Sequence, residues 1–552
     1  MIGSALGTSN RPQQLTSASD RFAAPYDGID GRISLATGSP THCIYTYNLI
    51  PHEFGMKVRN GYREWQTGLD EGSSEGVHTI IPFDSSSQAT GANRLFAVTN
   101  EAIWDVTTPG DTPINKLAFG DISSTSGYGN YIHYTNQAGN DVMFYADANN
   151  GLFKYDANTD TWAQATGITG PEISKVRFIM IHKDRIWLVE KGANSAWYLP
   201  LDAEQGQAEE FFFGTKYNSG GSTAGLFSWS IDSGSGVNDF FVSVGRAGDV
   251  LVYRGSDPAD ASGADPWELV GTYFIGRVPE GPTFGSVNGG DLYLLSIYGL
   301  NSMGELLQGV NSAELFNSSE TTSPSARIAL IIQTRLSQNI DLFGWEVRRI
   351  PSENSLLISG PQIGSTAPIQ YIYRLTTAAW GLWRNVPIES FENWQNNVVF
   401  GDADNRILYM DVTVDNVLLN PSQAINGDAI TFSILTNFRD LNAPTRFKRV
   451  KLIRPDFSAQ AAPDVTIAAR YDYDLTESFL TAASAPPPSD DSWDVATWDN
   501  AMWKSATGQN FSDIKGAWGI GRYVAIAMIG TCREETYFIG WDLIFDAGGP
   551  LL

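Results

Sequence analysis

Short runs that alternate apolar and polar residues recur along this chain, in pairs parted by Gly-, Asn- or Asp-containing turns. No other feature narrows the fold as much. The fullest copy is Asn354 to Pro387. There Leu356-Leu357-Ile358 and Tyr371-Ile372-Tyr373-Arg374-Leu375 flank a polar gap, and Trp380 and Trp383 follow a Thr376-Thr377 turn. Alternation over four to eight residues is the pattern of a half-buried strand, and a Gly- and Pro-containing gap between two such runs predicts a hairpin or loop. Asp141 to Trp162 repeats the order: Met143-Phe144-Tyr145, a turn at Ala148 to Gly151, then Leu152-Phe153-Lys154-Tyr155. Further copies start near 94, 184, 239, 291 and 397, and with those at 141 and 354 the spacing is about 43 to 63 residues. Short strands returning at that interval are the footprint of propeller blades.

The expectation is an all-β chain. A β-propeller of six to seven blades occupies residues 77–412, with insertions at 201–226 and 301–344. The second insertion carries a helix signal, Pro324 to Leu336, with Ile328, Ile331, Ile332 and Leu336 at helical spacing behind a Ser-Pro start. Past residue 413 the rhythm gives way to longer alternating runs, such as Ala429 to Thr436, Lys448 to Pro455 and Asp464 to Tyr471. Residues 413–552 therefore read as a separate antiparallel β-sandwich or platform. Residues 1–76 read as an arm followed by strands at Ile44 to Ile50 and Met56 to Arg59 that pair with that platform.

Charge and cysteine content exclude several functions. Lysine plus arginine against aspartate plus glutamate is 36 − 61 = −25. Such a balance argues against a nonspecific nucleic-acid clamp, which must displace counterions with cations, and against binding an anionic membrane surface. Cys43 and Cys532, the two cysteines of the chain, are no disulfide framework, and reduced thiols and folding in a cytoplasm are expected. The first residues have no basic start or apolar core of signal-peptide length, and no apolar run is long enough for a membrane span.

Motifs for chemistry are lacking. His42, His52, His78, His133 and His182 share no metal-ligand spacing. There is no phosphate-binding Gly-x-x-x-x-Gly-Lys and no sialidase-type Ser-x-Asp-x-Gly-x-Thr-Trp turn, and Gly72-Ser73-Ser74-Glu75-Gly76 reads as a loop into the repeats. Asp402-Ala403-Asp404-Asn405 resembles a calcium loop but lacks its Gly and terminal Glu, and reads as a hairpin turn. Trp162 and Trp267 read as tryptophans packed between blades. No catalytic residue, cofactor or metal site is expected, and the chain is not expected to be an enzyme. One cluster stands apart: Trp493, Trp498 and Trp503 recur every five residues, which fits neither strand nor helix. Three rings laid into one seam make either a core plug or a subunit interface.

Several stretches resemble the tail nozzle family of short-tailed bacteriophages, also called tail tubular protein B or the tail hub. They are Ala24 to Asp30, Val58-Arg59-Asn60-Gly61-Tyr62-Arg63-Glu64-Trp65, Gly248 to Pro258 with Trp267 to Tyr273, and the Trp-Asp repeat near 493 to 503. The resemblance spans most of residues 24–545. It implies a structural virion protein, assembled in the host cytoplasm into a hollow homohexamer. Its implied partners are the adaptor and portal proteins, tail fibres or spikes, and the genomic DNA that passes through without sequence-specific binding. The insertions at 201–226 and 301–344 depart from the family pattern. Two other readings are a glycan-cleaving propeller, which needs two carboxylates about 5 to 9.5 Å apart, and a receptor-binding tail protein that uses its long loops.

Overall fold

In the computed structural model, residues 17–550 are described apart from 33–34, 36–37, 71, 73–74, 86–92, 137, 233–236, 261, 263–264, 308–323, 365–367, 420–426 and 477–508. The chain forms two compact units, one from residues 29–32 and 59–430 and the other from the two chain ends, up to residue 58 and from 431.

The larger unit is a propeller. Six separate antiparallel sheets, five of four strands and one of three, and a further run of four antiparallel strands follow one another among the described residues. Blade 2 comprises Val77–Phe83, Arg94–Thr99, Ala102–Asp105 and Ile114–Ala118. Blade 3 comprises Gly129–Thr135, Asp141–Asp147, Gly151–Asp156 and Thr161–Gln164. Blade 4 comprises Val176–His182, Arg185–Glu190, Ser195–Tyr198 and Glu209–Phe212. Blade 5 comprises Thr223–Asp232, Val237–Gly245, Asp249–Arg254 and Glu268–Phe274. Blade 6 has three strands, Gly285–Asn288, Asp291–Ser296 and Gly299–Ser302. Blade 7 is the further run, Glu346–Ile350, Ser355–Ser359, Gln370–Arg374 and Ala379–Trp383. Blade 1 closes the ring: Ser390–Trp394, Asn397–Gly401 and Ile407–Val412 take their fourth strand, Gly61–Gln66, from the other end of the sequence.

The first strand of each blade neighbours the first strand of the next around the whole ring. Between neighbouring blades the sheet faces fuse into apolar seams. Phe96, Tyr145, Tyr155 and Trp162 fill the seam of blades 2 and 3, and Trp187, Phe241, Tyr253 and Trp267 that of blades 4 and 5. Inner strands are buried on both faces there, which is why strict alternation gives way to unbroken apolar runs such as Leu95-Phe96-Ala97-Val98.

The smaller unit is an antiparallel β-sandwich. One sheet runs Leu49–His52, Gly55–Val58, Thr536–Pro550, Arg446–Ala459 and Gln509–Phe511, with Ser17–Ala23 also paired to Thr536–Pro550. The other sheet includes Cys43–Tyr47, Ile430–Thr436, Val524–Cys532 and Asp464–Tyr471. Phe432 and Phe457 meet across the two layers at 6.2 Å, beside Phe538 and Trp541. Cys43 and Cys532 are both buried, at 0% and 2% exposure.

Several sequence expectations need correction. Gly61–Gln66 belongs to the propeller and not with the platform, because the ring needs a fourth strand to close. The propeller unit extends to residue 430, past the boundary expected at 412. The span 201–226 is not a free insertion: Glu209–Phe212 is the outer strand of blade 4 and Thr223 opens blade 5. Trp380 and Trp383 follow the turn, as expected, and lie inside the strand that leaves it, Ala379–Trp383. Ile44 to Ile50 breaks into two strands at Asn48, whose φ is +60°. The expected helix starts as a 3-10 turn, Ala326–Ile328, and continues as Ala329–Asn339 with Ile332 and Leu336 buried.

Candidate functional site

In an antiparallel blade the start of the first strand, the end of the second and the start of the third share one end. Here the registers Gly129↔Asp147, Val176↔Glu190 and Thr223↔Gly245 fix that end as the mouth of the bore. Polar ties link blade to blade near it. Thr79 Oγ1 donates to Gly127 O at 2.7 Å, Arg177 to Thr223 O at 2.7 Å, and Ser390 Oγ to Val77 O at 2.7 Å. Gly127 has φ +85°, and a Cβ there would come within 2.6 Å of Thr99 O, so this close approach requires glycine.

Below the mouth, side chains of the first strands face one another across the bore. The Tyr131 hydroxyl of blade 3 donates to Glu392 Oε2 of blade 1 at 2.7 Å. Arg348 of blade 7 is ion-paired with the same carboxylate, and its guanidinium carbon lies 5.9 Å from the Tyr131 ring centre. Glu346, two residues from Arg348 on the same strand face, accepts the Phe391 N–H at 2.9 Å. Burial pushes the Glu346 carboxyl up to about 7, against the pull of Arg348. Burial and the Glu392 charge hold the Tyr131 phenol well above its ordinary value. The result is an ionic tie across the bore between blades 1, 3 and 7.

At the mouth itself, the His78 ring stacks on Tyr128 with centres 4.0 Å apart. His78 Nδ1 lies 2.9 Å from Ser126 O, and Nε2 lies 3.9 Å from Glu389 Oε2. Burial lowers the His78 pKa to about 4, so the imidazole is neutral at pH 7. Burial, then the charges of Asp402, Asp404 and Glu75, raise Glu389 to about 7. Its Oε2 is buried with no hydrogen-bond partner. This carboxyl can hold or release a proton near neutrality, a property that concentrates at functional sites. Glu346 and Glu392 are a poorer acid pair for glycoside cleavage, because Tyr131, Arg348 and the Phe391 amide occupy their oxygens.

Trp493, Trp498 and Trp503 lie outside the described residues. Asp402 does form a hairpin turn: its carboxylate accepts the Asp404 N–H at 3.0 Å, the Arg406 N–H at 2.9 Å and Arg406 Nε at 2.8 Å. Trp162 and Trp267 are buried in the seams described above. No group of three or more His, Cys, Asp or Glu residues is placed to hold a metal among the described residues. Sequence reading missed Tyr131, Glu346, Arg348, Glu389 and Glu392. Glu346 and Arg348 carry one signal, a charge at the head of an apolar first strand, and it becomes legible only once the blades are in register.

No protein-family model and no curated protein matches the chain. Among solved structures, the extracellular domain of a hybrid two-component system from B. thetaiotaomicron covers 76% of this chain and 55% of its own, at 12% identity and a TM-score of 0.38. A second such domain from the same organism covers 64% of this chain and 39% of its own, at 10% identity and a TM-score of 0.39, so the chain spans well under two thirds of either. The WD40 repeats of RRP9 cover 64% of this chain and 99% of their own, at 9% identity and a TM-score of 0.37.

Proposed function

We propose that the chain is a structural subunit of the tail nozzle of a short-tailed bacteriophage, a hollow homohexamer that sits below the adaptor and portal, carries tail fibres and conducts DNA during ejection. The observation that carries this reading is the Tyr131–Glu392–Arg348 tie. It makes the propeller a braced wall, so any conduit has to lie between subunits and not along the axis of one propeller. The separate β-sandwich supports the same reading, since a ring subunit needs a surface for its neighbours beside its wall. The charge of −25 suits a surface that DNA passes without sticking. The test is the mass of the purified full chain with adaptor and portal rings. Six copies per ring are expected; a chain that stays monomeric and ignores both rings overturns the proposal.

Glu389 favours a second reading, a glycan-cleaving tail propeller, because a carboxyl near pH 7 suits a general acid. Release of sugar from host polysaccharide, lost in Glu389→Gln, is its expected result. No release by the native chain removes it.

A further inference from the structure

We propose that the mouth of the bore binds a small oxyanion, the carboxylate or phosphate group of a small molecule, in a pocket lined by Arg177, Lys191 and Arg246. The pocket has a volume of about 390 Å³, within the size range of small-molecule sites. Blade topology brings the three cations together. Arg177 is the second residue of the first strand of blade 4, Lys191 follows the second strand of that blade, and Arg246 follows the second strand of blade 5. All three positions fall at the mouth.

Local charge runs against the whole molecule. The pocket sets three cations against the one carboxylate of Glu280, which pairs with Arg246 at 2.8 Å, whereas the chain has 36 cations and 61 acids. The guanidiniums are only partly satisfied by protein. Arg177 gives one N–H to Thr223 O at 2.7 Å, while its Nε is buried with no hydrogen-bond partner. Arg246 gives one N–H to Pro279 O. Burial lowers both groups' affinity for the proton, Arg246 to about 10. A buried cation of this kind gains from a bound anion, and a planar guanidinium matches a carboxylate or phosphate edge. Phe343 and Ala224 supply an apolar wall, and Ser222 a hydroxyl. That mixture fits a small molecule with one charged group and an apolar face. The proposal is independent of which assembly the chain makes.

Calorimetric titration of the full chain with glucuronate, inorganic phosphate and glucose at pH 7 tests it. Glucuronate or phosphate is expected to bind at least about tenfold tighter than neutral glucose. The better of the two anions identifies the source of the group. Arg177→Gln is expected to weaken that binding at least about tenfold, and Lys191→Gln, on an exposed residue, about threefold. Should Arg177→Gln fail to fold, Lys191→Gln and the salt dependence of native binding decide. Absence of binding by both anions, equal binding of glucose, or affinity unchanged by substitution and by salt overturns the site.

Discussion

The Tyr131 hydroxyl and the Glu392 carboxylate meet at 2.7 Å although they belong to blades 3 and 1, which are not neighbours in the ring. The contact therefore braces the bore rather than one seam. Tyr131→Phe removes one hydrogen bond to a charged group and is expected to cost about 1.5–3 kcal/mol. Glu392→Ala leaves Arg348 buried without that carboxylate and is expected to cost more, about 3–5 kcal/mol. The double variant should cost less than the sum, because both changes act on one network. Urea unfolding of the four proteins checks this; strict additivity removes the tie.

Glu389 sets a pH dependence of known sign. Its folded pKa of about 7 lies above the ordinary 4.5, so the folded chain holds an extra proton between those values. Its contribution to stability is at its best below pH 4.5, falls as pH rises towards 7 and is flat above. Glu389→Gln keeps the shape and removes the charge. It should raise stability by up to about 3 kcal/mol at about pH 8 and change it little at about pH 4.5. His78 works in the opposite sense, since its folded pKa of about 4 lies below 6.5, and it adds stability as pH rises through that window. Thermal unfolding of native and Glu389→Gln chains at both pH values isolates the carboxyl, and a gain that is larger at the acidic value contradicts the assignment.

The inner strands were legible from sequence because both their faces are apolar. Leu95 to Val98 and Met143 to Tyr145 can satisfy no other environment. Outer strands were not legible. Ile114–Ala118 and Glu209–Phe212 are short and none of their residues is fully buried, so packing leaves little pattern on them. Gly61–Gln66 is not legible as a propeller strand because its partner strand, Ile407–Val412, lies at the far end of the propeller sequence, and pairing at that distance has no local signature. The bore residues were hidden for the same reason: Tyr131, Arg348 and Glu392 acquire meaning from the ring, and each alone is an ordinary strand residue.

Ring closure gives a contrast between two ion pairs on the closing segment. Arg59 holds Asp415 through two N–H bonds of 2.7 and 2.6 Å, and the Arg59 side chain is 1% exposed. Arg63 grips Asp411 at 2.8 Å but is 30% exposed. Desolvation makes the first pair costly to break from one side and leaves the second screened by water. Asp415→Ala is expected to cost about 3–5 kcal/mol, and Asp411→Ala at most about 1 kcal/mol. Equal losses in chemical denaturation would mean that the buried pair does not hold the closing strand.

Trp187 tests the seam of blades 4 and 5. It is fully buried, 4.4 Å from Phe241 and 5.8 Å from Trp267 between ring centres. Its indole N–H is buried with no hydrogen-bond partner, so packing alone holds it. Trp187→Ala opens a cavity and is expected to cost about 3–5 kcal/mol. Trp187→Phe loses ring volume but no hydrogen bond, and should cost well under half of that. The damage should also be local, because the seam of blades 2 and 3 is built around Trp162 and a separate set of rings. Hydrogen exchange should quicken at Val176–His182 and Thr223–Asp232 in Trp187→Ala while Arg94–Thr99 keeps its protection. Uniform loss of protection around the ring would instead show that the blades unfold as one cooperative body.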